Sequence, residues 1–235
     1  MTVNGMLTTL VNFNGTNGND PQAGLIRGQD GCFYGTTWGG GQYGDGTIFK
    51  LNTKGVLTTL YSFTGQLYDG ANPSDELTQG PDGYLYGTTV DGGAYGIGVV
   101  FQVSTSGTLT TLYSFHYDYA LPTTDGAQPY GGLIQYNDGY FYGTSKGGGA
   151  HGGGTFFRFP IPPTPVISAQ AHHSFSFQWC SVVGGLYQLQ CITNVLSTNW
   201  VDVGNSVVAT NLTTATIDNS ATNFHRFYRV ALVNY

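Results

Sequence analysis

The side chains best suited to chemistry are aromatic rings in three glycine-rich loops. These loops read WGGGQYGDG at 38–46, VDGGAYGIG at 90–98 and KGGGAHGGG at 146–154. Tyr43, Tyr95 and His151 occupy equivalent positions, and Trp38 begins the first loop. A ring displayed on small residues can stack on a sugar or pack at a subunit contact, whereas the glycines alone could simply satisfy positive φ in tight loops. The four rings are therefore candidates for a ligand-binding or assembly loop, with local packing as the alternative.

The acidic side chains and histidines give no comparable indication of catalysis. Catalysis needs a positioned nucleophile, a base or a pair of carboxylates. Most repeat acids lie in Asp-Gly turns, where hydrogen bonds from the carboxylate to the backbone explain them. A calcium role for Asp69, Asp75 and Glu76 is conceivable in one repeat, but the other repeats lack the last two acids. No histidine lies in a metal-site or catalytic-triad spacing, so the sequence predicts no enzyme activity, no cofactor and no metal.

The composition disfavours several classes of partner. Only 9% of residues are charged, the net charge is −6, and Lys plus Arg number 7 without a basic cluster. Nucleic-acid binding depends mainly on neutralising phosphates, so we expect no nucleic-acid partner. No apolar run reaches the roughly 18 residues of a membrane-spanning helix, and the first ten residues lack the pattern of a signal peptide.

The elements that would position these loops recur three times. The segment LTTLYSF at 57–63 recurs as LTTLVNF at 7–13 and LTTLYSF at 109–115, and GVVFQV at 98–103 corresponds to GTIFKL at 46–51 and GTFFRF at 154–159. The repeats span about 5–53, 54–105 and 106–159. Each holds four β-type segments separated by Gly turns, including Asp-Gly pairs typical of hairpins. Four strands in about 50 residues predict an all-β fold with propeller-type, four-stranded repeats.

The phasing of the strands predicts an incomplete assembly. If a blade consists of the second, third and fourth strands of a repeat plus the next LTTL strand, the third blade lacks its last strand, because Pro160 follows instead. The LTTL segment at 5–13 is then spare. Three blades are too few for a typical closed propeller. We therefore expect the open edge and the spare strand to pair between chains, as unpaired edges invite. The alternative is an excerpt of a longer array. The candidate residues are Leu7, Leu10, Phe13, Phe156 and Phe157.

The order LTTLYSF, DGxxPxxxL, DGxLYGTT and GGxxxxGTxFxL over residues 5–159 resembles the GloVer tandem-repeat family, also called choice-of-anchor repeat proteins. The resemblance implies a bacterial protein that is exported or displayed at the cell surface, with no established activity. The first copy departs from the pattern, since Asn17-Gly18 replaces Asp-Gly. The copy number also departs, because relatives generally carry more repeats, and this puts a self-closed ring in doubt.

The C-terminal part has a different organisation. Residues 160–165, PIPPTP, predict a stiff extended linker. Residues 166–235 contain short strand-like segments and predict a small β-sandwich. Their order resembles fibronectin type III-like modules, and the matching segments are SFQW at 176–179, YQLQ at 187–190, TNW at 198–200 and FYRV at 227–230.

Two cysteines in this C-terminal part form a candidate disulfide. Cys180 and Cys191 flank an expected hairpin near Gly184-Gly185, which would place them close together on one face. The alternative is two buried thiols in a small core, because a disulfide requires Cα atoms about 4.4–6.8 Å apart.

These observations lead to three functional hypotheses. The leading one is a non-enzymatic structural or adhesion protein, extracellular or at the cell surface, that self-associates by strand completion into a filament or ring. The second is a glycan-binding module that uses the Gly-rich loops. The third is an accessory fragment of a carbohydrate-active enzyme. The expected partners are thus further copies of the chain or a glycan, with no integral membrane segment.

Overall fold

The computed structural model describes residues 5, 7–116, 125–163, 165–169, 174–193, 198–219 and 226–234, and these residues form twenty β-strands and no helix. The all-β prediction is confirmed. The chain divides into two compact units, the first made of residues 1–134 and 142–157 and the second of residues 135–141 and 158–235. Among the described residues there is no helix long and apolar enough to cross a membrane.

The strands follow the repeat pattern and then the C-terminal segments. Strands of the repeat region are β1 (Ile26–Arg27), β2 (Phe33–Thr37), β3 (Thr47–Leu51), β4 (Leu57–Ser62), β5 (Gly70–Ala71), β6 (Thr78–Gln79), β7 (Leu85–Thr89), β8 (Asp91–Gly92), β9 (Val99–Val103), β10 (Leu109–Ser114), β11 (Ile134–Gln135), β12 (Tyr140–Ser145) and β13 (Thr155–Pro160). The remaining strands are β14 (Val166–Ala169), β15 (Phe175–Cys180), β16 (Leu186–Ile192), β17 (Val201–Asp202), β18 (Val207–Val208), β19 (Thr213–Asp218) and β20 (Phe227–Asn234).

Two four-stranded antiparallel sheets follow the expected phasing. Sheet 1 has the order β1-β2-β3-β4, and sheet 2 has the order β6-β7-β9-β10. In each sheet the last strand is the LTTL segment that opens the next repeat in the sequence. A β-bulge interrupts the last pairing of both sheets, at Leu60 in sheet 1 and at Leu112 in sheet 2. The same bulge in both sheets shows that the repeats share their detailed backbone path as well as their strand order.

Sheet 3 has only three strands in the part of the chain that the structure describes, in the order β11-β12-β13. Its fourth strand is missing because Pro160 ends β13 and no further LTTL segment follows. The spare LTTL segment at the other end, residues 7–13, does not form a strand. We call residues 7–13 the N-terminal segment below. None of the three sheets closes on itself.

Short hairpin turns join the first two strands of the sheets, as the Asp-Gly pairs predict. In sheet 2 the turn between β6 and β7 places Gly83 at φ 83°, a left-handed conformation that favours glycine. The side chain of Asp82 closes this turn, because its Oδ1 atom accepts a hydrogen bond from the Tyr84 N–H and its Oδ2 atom accepts one from the Tyr86 hydroxyl. The Asp-Gly turns therefore serve the fold, as the sequence indicated.

The core of the first unit lies between sheets 1 and 2. Alternate side chains of sheet 1, among them Tyr34 and Ile48, form one buried cluster with residues of sheet 2 such as Leu77, Val99 and Phe101. At this junction sheet 1 contributes one face and sheet 2 contributes the opposite face of the same repeat pattern. We call the face that carries Ile48 and its equivalents the forward face, and the face that carries Phe101 and its equivalents the rear face.

The second unit contains two further sheets. One has the order β14-β15-β19, and the other places β17 and β18 along one edge of β16 and β20 along the opposite edge. Phe177 and Trp179 of the first sheet form a common core with Tyr187 and Leu189 of the second. Residues from both sheets therefore bury one shared interior, which is the arrangement of a small sandwich.

The expected hairpin between Cys180 and Cys191 is wrong. Strands β15 and β16 belong to different sheets, so the turn at Gly184-Gly185 is a crossover between the two sheets. Local turn chemistry cannot distinguish a hairpin from such a crossover, because both need the same tight turn. Neither Cys180 nor Cys191 forms a disulfide in the described structure.

Candidate functional site

The glycine-rich loops display their aromatic side chains unequally. Tyr43, Tyr95 and His151 are all exposed at the tips of the loops that join the second and third strands of each sheet. Trp38 is half-buried instead, and its ring stacks on Tyr130 with the centroids 6.2 Å apart. Three of the four predicted loop rings are therefore accessible, whereas Trp38 packs within the first unit.

Tyr95 borders a groove with a second exposed aromatic ring that sequence reasoning missed. The groove has a volume of about 580 Å³ and is lined by Gln66, Leu67, Tyr68 and Tyr95 together with Ala94 and glycines. Tyr68 is 87% exposed, and the edge of the His116 ring fixes Tyr95 at a centroid distance of 4.4 Å. A comparison of the repeats could have found Tyr68, because QLY at 66–68 lengthens a turn that is shorter in the first repeat.

A buried carboxylate anchors the turn beneath this groove. Asp69 accepts hydrogen bonds from the Tyr61 hydroxyl at 2.9 Å and from both the N–H and the hydroxyl of Thr64. Burial, reinforced by Asp69, raises the pKa of Tyr61 above its ordinary value. In the next repeat burial and the neighbouring Asp125 raise the pKa of Tyr113 to about 12. Both tyrosines are therefore protonated hydrogen-bond donors at neutral pH, and the pairs act as structural anchors.

The acids considered for calcium do not form a metal site. The Asp75 carboxylate already accepts two backbone hydrogen bonds, from Glu76 at 2.7 Å and from Gly132 at 2.6 Å. Asp69 accepts the three hydrogen bonds described above. Within the described residues no group of three or more His, Cys, Asp or Glu side chains could hold a metal ion.

The N-terminal segment lies against sheet 1 in the place that a preceding sheet's last strand would occupy. Phe13 packs edge-on against Phe49 of β3. Equivalent pairs join consecutive sheets elsewhere, with the same edge-on geometry. The ring-centroid distances are 5.2 Å for Phe13–Phe49, 5.4 Å for Phe63–Phe101 and 5.2 Å for Phe115–Phe157.

A second contact fixes the same position for the N-terminal segment. The backbone carbonyl of Leu10 lies 3.2 Å from the position that a Cβ atom would take on Gly55, in the turn between β3 and β4. The Leu60 carbonyl lies against Gly107, in the turn between β9 and β10, in the same way. Leu10 therefore has the same position relative to sheet 1 as Leu60 has relative to sheet 2.

The remaining strand-completion candidates lie on the N-terminal segment and on β13, the two elements that strand completion would join. Leu7 and Leu10 are exposed, and the N-terminal segment pairs with no strand among the described residues. Phe156 is exposed on the three-stranded sheet 3 and stacks on Tyr142, with the centroids 5.6 Å apart. Phe157 faces the opposite side and meets Phe115. The structure therefore separates the candidates into two sets, one on the N-terminal segment and the other on β13.

Comparison with known proteins identifies the repeats. The family profile described as Gloeobacter/Verrucomicrobia repeat matches residues 1–196. No curated protein matches the chain.

Proposed function

The chain belongs to the Gloeobacter/Verrucomicrobia repeat family, and from this premise we propose that it is a non-enzymatic structural or adhesion protein of the cell surface or extracellular space. Its copies associate by strand completion. The N-terminal segment of one copy supplies the missing fourth strand of sheet 3 in another copy. The expected products are a ring or a filament built from propeller-type repeats, and the second unit is carried along as a fibronectin type III-like module.

One observation carries this proposal: the N-terminal segment already lies where a fourth strand of a preceding sheet belongs. The Phe13–Phe49 pair repeats the two pairs that join consecutive sheets within the chain. Sheet 3 lacks a strand of this very sequence type, because sheets 1 and 2 both end with an LTTL strand. The missing element and the spare element therefore match in sequence and in position.

Strand addition also satisfies backbone groups. In the part of the chain that the structure describes, β13 has β12 as its strand neighbour, whereas in the other two sheets a fourth strand pairs with the N–H and C=O groups of the equivalent strand. An extended segment that joins a sheet edge gains these main-chain hydrogen bonds, and its alternate side chains fill positions on the sheet. Leu10 and Phe13 of the N-terminal segment would take positions beside β13 of the other copy that correspond to those of Leu60 and Phe63 beside β3.

Deletion of residues 1–13 tests strand completion. We expect the wild-type chain to form assemblies and the deleted chain to have the mass of one chain by light scattering. Val208→Ala in the second unit is a matched control, because this exposed apolar residue plays no part in the proposed contact. A deleted chain that assembles like the wild type would contradict the proposal.

The groove beside Tyr95 favours glycan binding as a second candidate function. Its lining carries two exposed tyrosines and a glutamine but no charged side chain. A neutral sugar suits such a surface, because its C–H faces stack on aromatic rings and its hydroxyls bond to polar groups. Tyr68→Ala and Tyr95→Ala should each reduce retention on immobilised neutral oligosaccharides by about tenfold or more without changing the mass. His151→Ala, on another loop, is the control, and unchanged retention of both tyrosine variants would contradict the candidate.

A further inference from the structure

We propose that two copies of this chain join head to tail through the forward face of sheet 3 and the rear face of sheet 1, with Leu25 of one copy inserted beside Phe156 of the other. The proposal rests on the self-association proposed above and names its contact surface. The contact repeats the two junctions between consecutive sheets within the chain. Two such contacts close a ring of six sheets.

The first argument is the exposure of one leucine in each repeat. Leu25, Leu77 and Leu133 are equivalent, since each lies four residues after the proline of the same loop. Leu77 is 1% exposed in the cluster between sheets 1 and 2, and Leu133 is 3% exposed. Leu25 is 51% exposed. The rear face of sheet 1 therefore lacks the covering sheet that the other two leucines have.

The second argument is the reciprocal exposure on sheet 3. Ile48, Val100 and Phe156 are equivalent residues of the forward faces. Ile48 is 0% exposed and Val100 is 1% exposed, whereas Phe156 is 74% exposed. Phe156 borders a cavity of about 310 Å³ whose lining also includes Tyr142, Thr144, Asp75 and Glu76. Leu77 packs in one cluster with Tyr34 and Ile48 of sheet 1, and the equivalent residues of sheet 3, Tyr142 and Phe156, line this cavity.

The third argument comes from backbone hydrogen bonds at the junctions. The Asn72 N–H donates to the Asp45 carbonyl at 2.9 Å, and the Gln128 N–H donates to the Ile97 carbonyl at the same distance. Among the described residues, the equivalent N–H of Asp20 has no acceptor, and the equivalent carbonyl of Gly153 has no donor. A head-to-tail contact pairs these two groups.

The fourth argument is the packing of a proline on a glycine. A Cβ atom on Gly46 would lie 2.8 Å from Pro73, and one on Gly98 would lie 2.7 Å from Pro129. The three atoms nearest to a Cβ atom on the equivalent Gly154 belong to Ser145 and Lys146 and to no proline, and the equivalent Pro21 is exposed. Asp20, Pro21 and Leu25 are therefore one half of a junction whose other half contains Gly153, Gly154 and Phe156.

The number of copies follows from ring size. Closed propellers typically have four to eight blades. Sheets 1 to 3 of one chain correspond to three blades, so two copies make six and three copies would exceed the range. The same contact also brings the N-terminal segment of each copy alongside β13 in its partner. Strand completion and face packing therefore occur together in one junction.

A mixing experiment with Leu25→Glu and Phe156→Arg tests the proposed contact. A dimer of either variant alone would carry a buried charge at both of its head-to-tail junctions. Its self-association should therefore weaken by at least about tenfold, and its mass should fall to that of one chain. In a dimer formed from an equal mixture, one junction contains the unchanged Leu25 and Phe156. The other junction contains both substituted positions, where the introduced acid and the introduced base have opposite charges. The mixture should therefore return to twice the 25.1 kDa mass of one chain.

The outcomes separate this contact from strand completion in general. If the deletion of residues 1–13 abolishes assembly but both charged variants assemble like the wild type, strand completion stands and the face contact is wrong. A mixture of folded variants that stays at the mass of one chain also overturns the contact. Circular dichroism checks folding, and Leu25→Ala with Phe156→Ala provides a milder pair, each expected to weaken association by about tenfold. A wild-type chain with the mass of one chain would overturn both proposals.

Discussion

The ring of Phe13 packs edge-on against the ring of Phe49, with 5.2 Å between the centroids. The same relationship joins Phe63 to Phe101 between sheets 1 and 2. A segment without a strand partner thus makes the inter-sheet contact of a paired strand. This relationship links the repeat pattern to the proposed assembly.

Truncation of these phenylalanines should have unequal effects on the stability of the chain. Phe63 is fully buried, so Phe63→Ala should lower the free energy of unfolding by about 3–5 kcal/mol. Phe13 is only half-buried, so Phe13→Ala should cost about 1 kcal/mol in a single chain. Urea denaturation at a concentration where both variants are monomeric measures the difference. Equal losses would mean that the N-terminal segment is an integral part of the core.

A glycine in the second loop should not accept a side chain. Gly98 has φ 104°, and a Cβ atom there would lie 2.3 Å from the Thr89 carbonyl oxygen. Gly98→Ala should therefore destabilise the chain by about 3 kcal/mol or more. Gly96 is the matched control, because it also has a positive φ but nothing lies within 4 Å of its Cβ position. Gly96→Ala should cost about 1 kcal/mol, and similar losses in thermal denaturation would contradict the steric argument.

Replacement of the buried Asp69 should destabilise its turn more than loss of one hydrogen-bond partner does. Asp69→Asn turns one acceptor oxygen into a donor that faces other donors, and we expect a loss of about 2–3 kcal/mol. Tyr61→Phe removes a single hydrogen bond and should cost about 1 kcal/mol. Chemical denaturation of the two variants provides the comparison, and an Asp69→Asn variant as stable as the wild type would show that the carboxylate is dispensable.

The Asp30–Lys50 ion pair should give a small stabilisation that is lost in acid. The Lys50 ammonium, 2.7 Å away, is the main cause that lowers the pKa of Asp30 to about 2. Because the folded pKa lies below the unfolded value of 3.8, the stabilisation is present above about pH 4 and is lost as the pH falls from 4 towards 2. The Asp30 side chain is more than one-third exposed, so the ion pair contributes less than about 1 kcal/mol to the free energy of unfolding.

Asp30→Asn tests this pH dependence. The wild type should lose more stability than the variant between pH 4 and pH 2, as measured by thermal denaturation across that interval. Asp202→Asn is a control on the second unit, where the carboxylate accepts from Gln190 and forms no ion pair in the described structure. Parallel pH profiles for the wild type and Asp30→Asn would refute the contribution.

Local patterns predicted the repeats because strand alternation and turn residues act over a few positions. The four-strand order, the open edge of sheet 3 and the spare N-terminal segment all follow from them. The separation of β15 and β16 into different sheets did not, since it depends on which distant strands each one meets. The exposure of Leu25 and the stacking of Trp38 on Tyr130 also depend on neighbouring sheets, and sequence spacing alone does not indicate them.

Solution mass by light scattering, with a negative-stain image of the same sample, tests the central claim most directly. Head-to-tail closure predicts a single species of twice the 25.1 kDa chain mass and ring-shaped particles. Large regular particles would retain strand completion but replace the ring with a filament. A single species of 25.1 kDa would contradict strand completion itself.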